Sequence, residues 1–206
     1  MPGMVIDFEG IDGSGKRTQA ENLRNSFRSD VYKVVLYSYP DYNSSYGKLI
    51  KDFLDNKINL NPDEQFLLYL IDIIKDREDI RKKINEGYMV ILDRYIPSTI
   101  AYQCANNFDY QKAKDMIRLV DVTLPNIIVY LDTPVKTSGE RKIKQKNHKD
   151  RFEGDAALLK KVKDYYERMI EESFPSRWLR VNGTKEIKEI SEEIYQTINN
   201  FMERRE

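Results

Sequence analysis

Five short apolar runs, each followed by a long amphipathic stretch, constrain this chain more than any single motif. The runs are Met4-Val5-Ile6-Asp7-Phe8 and residues 34–37, 89–92, 127–131 and 178–181. Most are uninterrupted rather than alternating in polarity, the pattern of strands covered on both faces. Between them lie helix-like segments at 16–28, 62–86, 98–106, 110–120, 134–145, 155–172 and 185–203. Asn61-Pro62-Asp63-Glu64 reads as a helix start, with an Asn cap, Pro at the first position and Glu three residues on. Strands alternating with helices predict an α/β fold with a doubly wound, five-stranded parallel sheet. No repeat, low-complexity tract or linker divides the chain, so residues 1–206 are expected to form one domain.

Composition removes several function classes. Lys+Arg and Asp+Glu each number 34, for a net charge of zero. That balance argues against a dedicated nucleic-acid binder and against an acidic disordered tail. A single cysteine, Cys104, excludes an intramolecular disulfide and a Cys-based zinc site, and is read as a small buried apolar residue. A single histidine, His148, excludes a two-histidine metal site. The start, MPGMVIDFEG, lacks the pattern of a signal peptide. The longest apolar stretch, residues 66–74, is interrupted by Asp72 and falls short of a membrane span. A soluble, cytoplasmic protein without nucleic-acid or membrane partners is therefore expected. The N-x-S/T matches at Asn43 and Asn182 then carry no glycan.

The most informative segment is Phe8-Glu9-Gly10-Ile11-Asp12-Gly13-Ser14-Gly15-Lys16-Arg17-Thr18. Gly10, Gly15 and Lys16 have the G-x-x-x-x-G-K spacing of a P-loop, placed after a strand and before a helix as that loop requires. Glycines let the backbone wrap phosphate oxygens, with amide N–H groups and the helix N-terminus facing the anion. Gly10 through Thr18 are thus the candidate ATP-binding residues, with Lys16 along the β- and γ-phosphates. One position departs from the pattern: Arg17 stands where a Ser or Thr hydroxyl ligates Mg2+. Thr18 is one residue later, about 100° round the helix, and cannot simply substitute. Two readings stay open: Mg2+ held by waters and carboxylates, or weakened metal affinity. Arg17 itself either adds charge near the phosphates or points to solvent.

Asp93 and Arg94 end the third strand, where open α/β sheets bind ligands. A carboxylate there can organise Mg2+ or orient an attacking phosphate, and an arginine can bridge a transferring phosphoryl group. Residues 141–151 carry six Lys/Arg in eleven positions, ordinarily a solvated helix face.

Taken together, the motifs resemble the thymidylate kinase family of P-loop nucleoside-monophosphate kinases. The resemblance rests on FEGIDGSGK at 8–16 and Asp93-Arg94-Tyr95 followed by Ser98-Thr99-Ile100-Ala101-Tyr102-Gln103. Pro125-Asn126 and Asp150-Arg151-Phe152-Glu153 complete it. It implies the P-loop NTPase fold with a mobile lid over 136–153 and transfer of a phosphoryl group from Mg2+-bound ATP to dTMP, giving dTDP. It assigns Lys16, Asp93, Arg94 and a lid arginine, Arg141 or Arg151, to catalysis, with Asp93 as the candidate Mg2+ ligand. On the acceptor side it implies Asp12 at the sugar, Tyr69 stacked on the base, and Arg94, Ser98, Tyr102 and Gln103 nearby. It also implies a homodimer formed through apolar helix faces such as 62–86.

Two acceptor positions depart from the family. Tyr42 and Ile73 stand where arginines are expected, with Lys33, Lys48, Arg77 or a tyrosine hydroxyl as possible replacements. They motivate an alternative acceptor, another nucleoside monophosphate or a nucleoside, whereas Arg17 motivates a P-loop regulatory module with little kinase activity.

Overall fold

The structure is a computed structural model that describes residues 3–30, 32–145 and 155–204. All five predicted strands form: β1 (Met4–Glu9), β2 (Val34–Ser38), β3 (Met89–Asp93), β4 (Ile127–Asp132) and β5 (Trp178–Asn182). They make one parallel sheet in the order β2-β3-β1-β4-β5. The three inner strands are almost wholly buried, whereas the edge strands β2 and β5 are half-covered. β1 and β3 are neighbours, with Phe8 paired to Asp93. The loops leaving their carboxyl ends therefore lie side by side.

Helices cover both faces. On one, α1 (Lys16–Ser29) and α9 (Ile187–Glu203) pack Leu23, Phe27, Ile190, Ile194 and Ile198 onto Ile6, Phe8 and Val129. The other face is larger. It carries α2 (Ser45–Leu54), α3 (Pro62–Ile74), α5 (Ile96–Ala105), α6 (Tyr110–Leu119) and α8 (Ala156–Glu171) over Val5, Val90 and Leu92. Successive strand residues face opposite sides, so Asp7 and Glu9 point with Val5 into this larger layer. Cys104 is buried there, and burial pushes its thiol up to about 12, as expected of a packing residue.

Two helical expectations change. Residues 62–86 form two helices, α3 and α4 (Arg77–Asn85), rather than one. The break falls at Lys75 and Asp76, where the Tyr39 hydroxyl donates to Asp76 at 2.9 Å and Lys75 Nζ turns back to the Asp72 carbonyl at 2.8 Å. Glu78 and Asp79 then occupy the first turn of α4, where acidic side chains complement the helix dipole. The second change is α2, which the apolar-run reading passed over. The Ser44 hydroxyl accepts from Gly47 N–H at 2.9 Å as its cap, and Ile50, Phe53 and Leu54 form its buried side. Among the described residues no helix is long and apolar enough to cross a membrane. The last helix of the set, α7 (Val135–Gln145), follows β4.

Candidate functional site

The loop from β1 to α1 is shaped by its glycines. Gly15 lies at φ 96°, a left-handed conformation that a side chain rarely adopts, and α1 begins at the next residue. At Gly13, φ is 80° and a Cβ would meet the Ser138 carbonyl oxygen at 2.5 Å, so the loop closes against α7 only with glycine there. Asp12 through Thr18 line a broad cleft together with Asp93, Arg94, Arg141, Lys142 and residues 184–187. Ile11 is buried in the core, but its carbonyl accepts from Lys16 Nζ at 3.3 Å. Gly10 contributes its carbonyl to Arg94 at 3.4 Å.

Cations converge on Asp12. Its carboxylate pairs with Arg94, and lies 3.9 Å from Lys16 Nζ and 3.8 Å from Lys142 Nζ. Burial opposes ionisation of Asp12, but these three charges override it, Arg94 first, and hold the carboxyl well below the usual carboxylate range. Burial and the neighbouring Arg94 bring the Lys16 ammonium down to about 8 despite Asp12 and Asp93. Such a crowd of positive charge under one carboxylate is suited to an arriving phosphate.

Arg94 occupies a left-handed backbone conformation at φ 68°, which costs a non-glycine residue roughly 1–3 kcal/mol. Its N–H donates to the Phe8 carbonyl at 3.1 Å. The guanidinium donates to Ser98 Oγ at 3.0 Å and lies 5.0 Å from the centre of the Tyr102 ring. The Tyr102 hydroxyl in turn accepts from the Asp12 N–H at 3.1 Å.

A second, smaller cavity opens beside the cleft. Tyr42, Tyr69, Ile73, Ser98 and Tyr102 line it, with Asp12 and Arg94. These are the predicted acceptor residues with one exception. Gln103 is fully buried and does not line the cavity, and its amide has no hydrogen-bond partner among the described residues. Gln103 nonetheless follows Thr99, which does line the cavity, by one helical turn on the same side of α5. Among the described residues Arg94 is the only cation lining this cavity.

Three proposed substitutes for the missing arginines lie elsewhere. Lys33 Nζ sits over the Tyr88 ring, Arg77 donates to the Val120 carbonyl, and Lys48 is exposed on α2. One cation that sequence reasoning misses, Lys75, contacts two residues of the cavity wall, Asp72 and Tyr39. It pairs with Asp76 at 2.6 Å, Asp72 at 3.3 Å and Asp41 at 3.4 Å, and lies over the Tyr39 ring. Its sequence signal is weak, because Lys75 falls between position 73, where the family resemblance places an arginine, and Arg77 one turn further on.

Arg141 donates to the carbonyls of Gly183 at 2.9 Å and Ser14 at 3.4 Å, on the P-loop rim of the cleft. Arg151, with His148 and the rest of 146–153, lies outside the described residues. Arg17 points to solvent, its side chain 77% exposed and paired with Glu21 at 3.2 Å. Asp93 is largely buried at the cleft, and its Oδ1 has no partner among the described residues.

The cleft and the cavity share Asp12, Tyr39, Pro40, Tyr42 and Arg94. A P-loop NTPase fold whose phosphate loop opens onto two adjoining cavities over one arginine describes a phosphotransferase working between two bound nucleotides. The thymidylate kinase family model matches residues 8–194. A thymidylate kinase of Thermosipho africanus is 32% identical over 97% of this chain and 100% of its own length. One from Leptospira borgpetersenii is 32% identical over 96% of this chain and 95% of its own. The solved thymidylate kinase of Candida albicans superposes with a TM-score of 0.79 at 26% identity, covering 98% of this chain and 93% of that one. The chain belongs to the thymidylate kinase family. These matches lend no support to the regulatory-module alternative or to a different acceptor.

Proposed function

We propose that this chain transfers the γ-phosphoryl group of ATP to dTMP, releasing ADP and dTDP. The observation that carries the reading is the junction of the two cavities at Asp12 and Arg94. With the triphosphate along the P-loop and the monophosphate in the smaller cavity, an acceptor phosphate oxygen attacks the γ-phosphorus. The bond to the β–γ bridging oxygen breaks as the new one forms, and ADP leaves. Such a transfer needs positioning and charge neutralisation more than covalent help. Lys16 and the loop amides hold the β- and γ-phosphates, and Arg94 spans donor and acceptor.

In the smaller cavity Tyr69 stacks on the base, and Tyr102 and Asp12 face the sugar, while Gln103 lies buried behind the wall that Thr99 and Tyr102 form. Arg141 belongs to the donor side, consistent with its place on the P-loop rim. The reading includes one domain over 1–206 and a closing role for 136–153.

The residues present fit a magnesium ion carried in by ATP. Among the described residues no three His, Cys, Asp or Glu side chains converge on one point, as a dedicated metal cage would need. Asp93 lines the cleft, and its buried Oδ1 has no hydrogen-bond partner among the described residues, which matches the one or two protein ligands typical of nucleotide-bound Mg2+. Asp93 would hold the ion there, and its charge would offset that on the transferring group. The exposed Leu67 and Ile71, one turn apart on α3, support a homodimer through that helix.

The experiment is a coupled ADP-release assay with Mg2+ and ATP against dTMP, dUMP, dCMP, dGMP, UMP, CMP, AMP and thymidine. Preference for dTMP is expected. Faster transfer to another acceptor would overturn the base assignment, and no transfer with ATP bound would overturn the kinase reading.

A further inference from the structure

Glu9, the last residue of β1, is fully buried beneath the smaller cavity, and its carboxylate accepts four hydrogen bonds. Oε1 takes the backbone N–H groups of Tyr95 at 2.9 Å and Ser98 at 3.0 Å. Oε2 takes the hydroxyls of Ser98 at 2.5 Å and Tyr166 at 2.7 Å. The first pair does the work of a helix cap. Tyr95 stands in the N-cap position of α5 and offers no side-chain cap, so N–H groups buried at that helix start need an acceptor from elsewhere.

The second pair sets proton direction. A carboxylate can only accept, so the Ser98 and Tyr166 hydroxyls must both give their hydrogens to Glu9. The lone pairs of Ser98 Oγ are then left to accept from Arg94 Nη1, which lies 3.0 Å away. A hydroxyl polarised in this way is a stronger acceptor than a free one. The Tyr166 hydroxyl, 3.0 Å from Ser98 Oγ, closes the ring from α8.

We propose that Glu9 is a positioning residue for phosphoryl transfer: through Ser98 it aims the Arg94 guanidinium at the junction of the two cavities. The inference rests on the reading of Arg94 as the group that grips the acceptor phosphate. Ser98 becomes a relay behind the acceptor site in addition to part of its wall. Tyr166 tethers α8 to the same point.

The test compares Glu9→Gln, Ser98→Ala, the double variant and Tyr166→Phe with the wild type. Wild-type turnover is measured first, with dTMP and the other monophosphates, and judges the proposed function. The relay is then scored as variant-to-wild-type ratios with whichever monophosphate turns over fastest, so the two failures remain distinct. Gln at position 9 places an N–H donor against Ser98 and reverses the hydroxyl. Glu9→Gln and Ser98→Ala should each lower acceptor kcat/KM about tenfold, as for loss of one charge-assisted contact. ATP affinity measured without acceptor should stay within about twofold. The double variant should be no worse than about twofold below the weaker single, because both changes cut one path.

A purely structural role would lower the melting temperature and weaken donor and acceptor alike. An unchanged acceptor kcat/KM for Glu9→Gln, or losses that multiply in the double variant, overturns the proposal. If Glu9→Gln does not fold, the single-hydroxyl deletions decide. Selective loss of acceptor kcat/KM in both Ser98→Ala and Tyr166→Phe supports the relay, because Tyr166 reaches Glu9 but is not part of the cavity wall, and wild-type behaviour in either refutes it.

Discussion

Asp7 is a carboxylic acid in the middle of the central strand, and replacing it by Asn tests how the sheet tolerates it. Its side chain is fully buried, and neither oxygen has a donor among the described residues. Burial, then the charges of Glu9 and Asp93, raise its pKa well above the usual value, against the pull of Arg94. The native state therefore keeps a proton that the unfolded chain loses above about pH 4. Stability from this group is complete below that pH and declines as pH rises toward the raised native value, by about 1.4 kcal/mol per pH unit. Asn has the same shape and no proton to lose, so Asp7→Asn lacks this slope. The stability difference between variant and wild type should move toward the variant by about 1.4 kcal/mol per pH unit above pH 4, then level off at the native pKa. Urea unfolding at half-unit pH steps reads this directly, and other titrations shared by both proteins cancel in the difference. Parallel stability curves, with a difference independent of pH, would refute the reasoning and mean that Asp7 is ionised in the fold.

Two further outcomes follow from the site. With Lys16 brought down to about 8 in the free protein, ATP should restore its proton on binding, so affinity weakens as pH rises above 8. Calorimetry in two buffers of different ionisation enthalpy should show uptake of about half a proton at pH 8; no uptake would place the Lys16 pKa elsewhere. Tyr42→Arg adds a second cation to a cavity lined by only one among the described residues, at a position 46% exposed. It should lower the dTMP KM about three- to tenfold and change the ATP KM by less, since Tyr42 also borders the P-loop cleft, and an unchanged dTMP KM would show that position 42 does not reach the phosphate.

Much of this protein was legible in one dimension because the relevant physics is local. A strand buried on both faces must be a continuous apolar run, and all five runs became strands within about one residue of their expected ends. The P-loop is legible because glycine spacing and a following helix are enough to build it, as Gly13 and Gly15 illustrate. Chain neighbours also explain why Asp93 and Arg94 could be placed at a strand end before the sheet order was known.

The tertiary structure decided what depends on residues meeting from distant parts of the chain. The predicted helix over 62–86 breaks at Asp76 because Tyr39, 37 positions away, holds that carboxylate. Lys33 turns to the Tyr88 ring and Arg77 to the Val120 carbonyl, whereas Lys75 pairs with Asp72 in the cavity wall, for reasons of packing that no spacing rule contains. Glu9 reads in sequence as one more residue before the loop. It becomes a hub only where β1 passes beneath α5 and α8, which brings it to Ser98 across 89 positions and Tyr166 across 157. Local pattern determines which segments become strands and helices, and where a phosphate loop forms. Which buried polar groups find one another is determined by the packing of the layers, because a hydrogen bond depends on distance in space and not on separation along the chain.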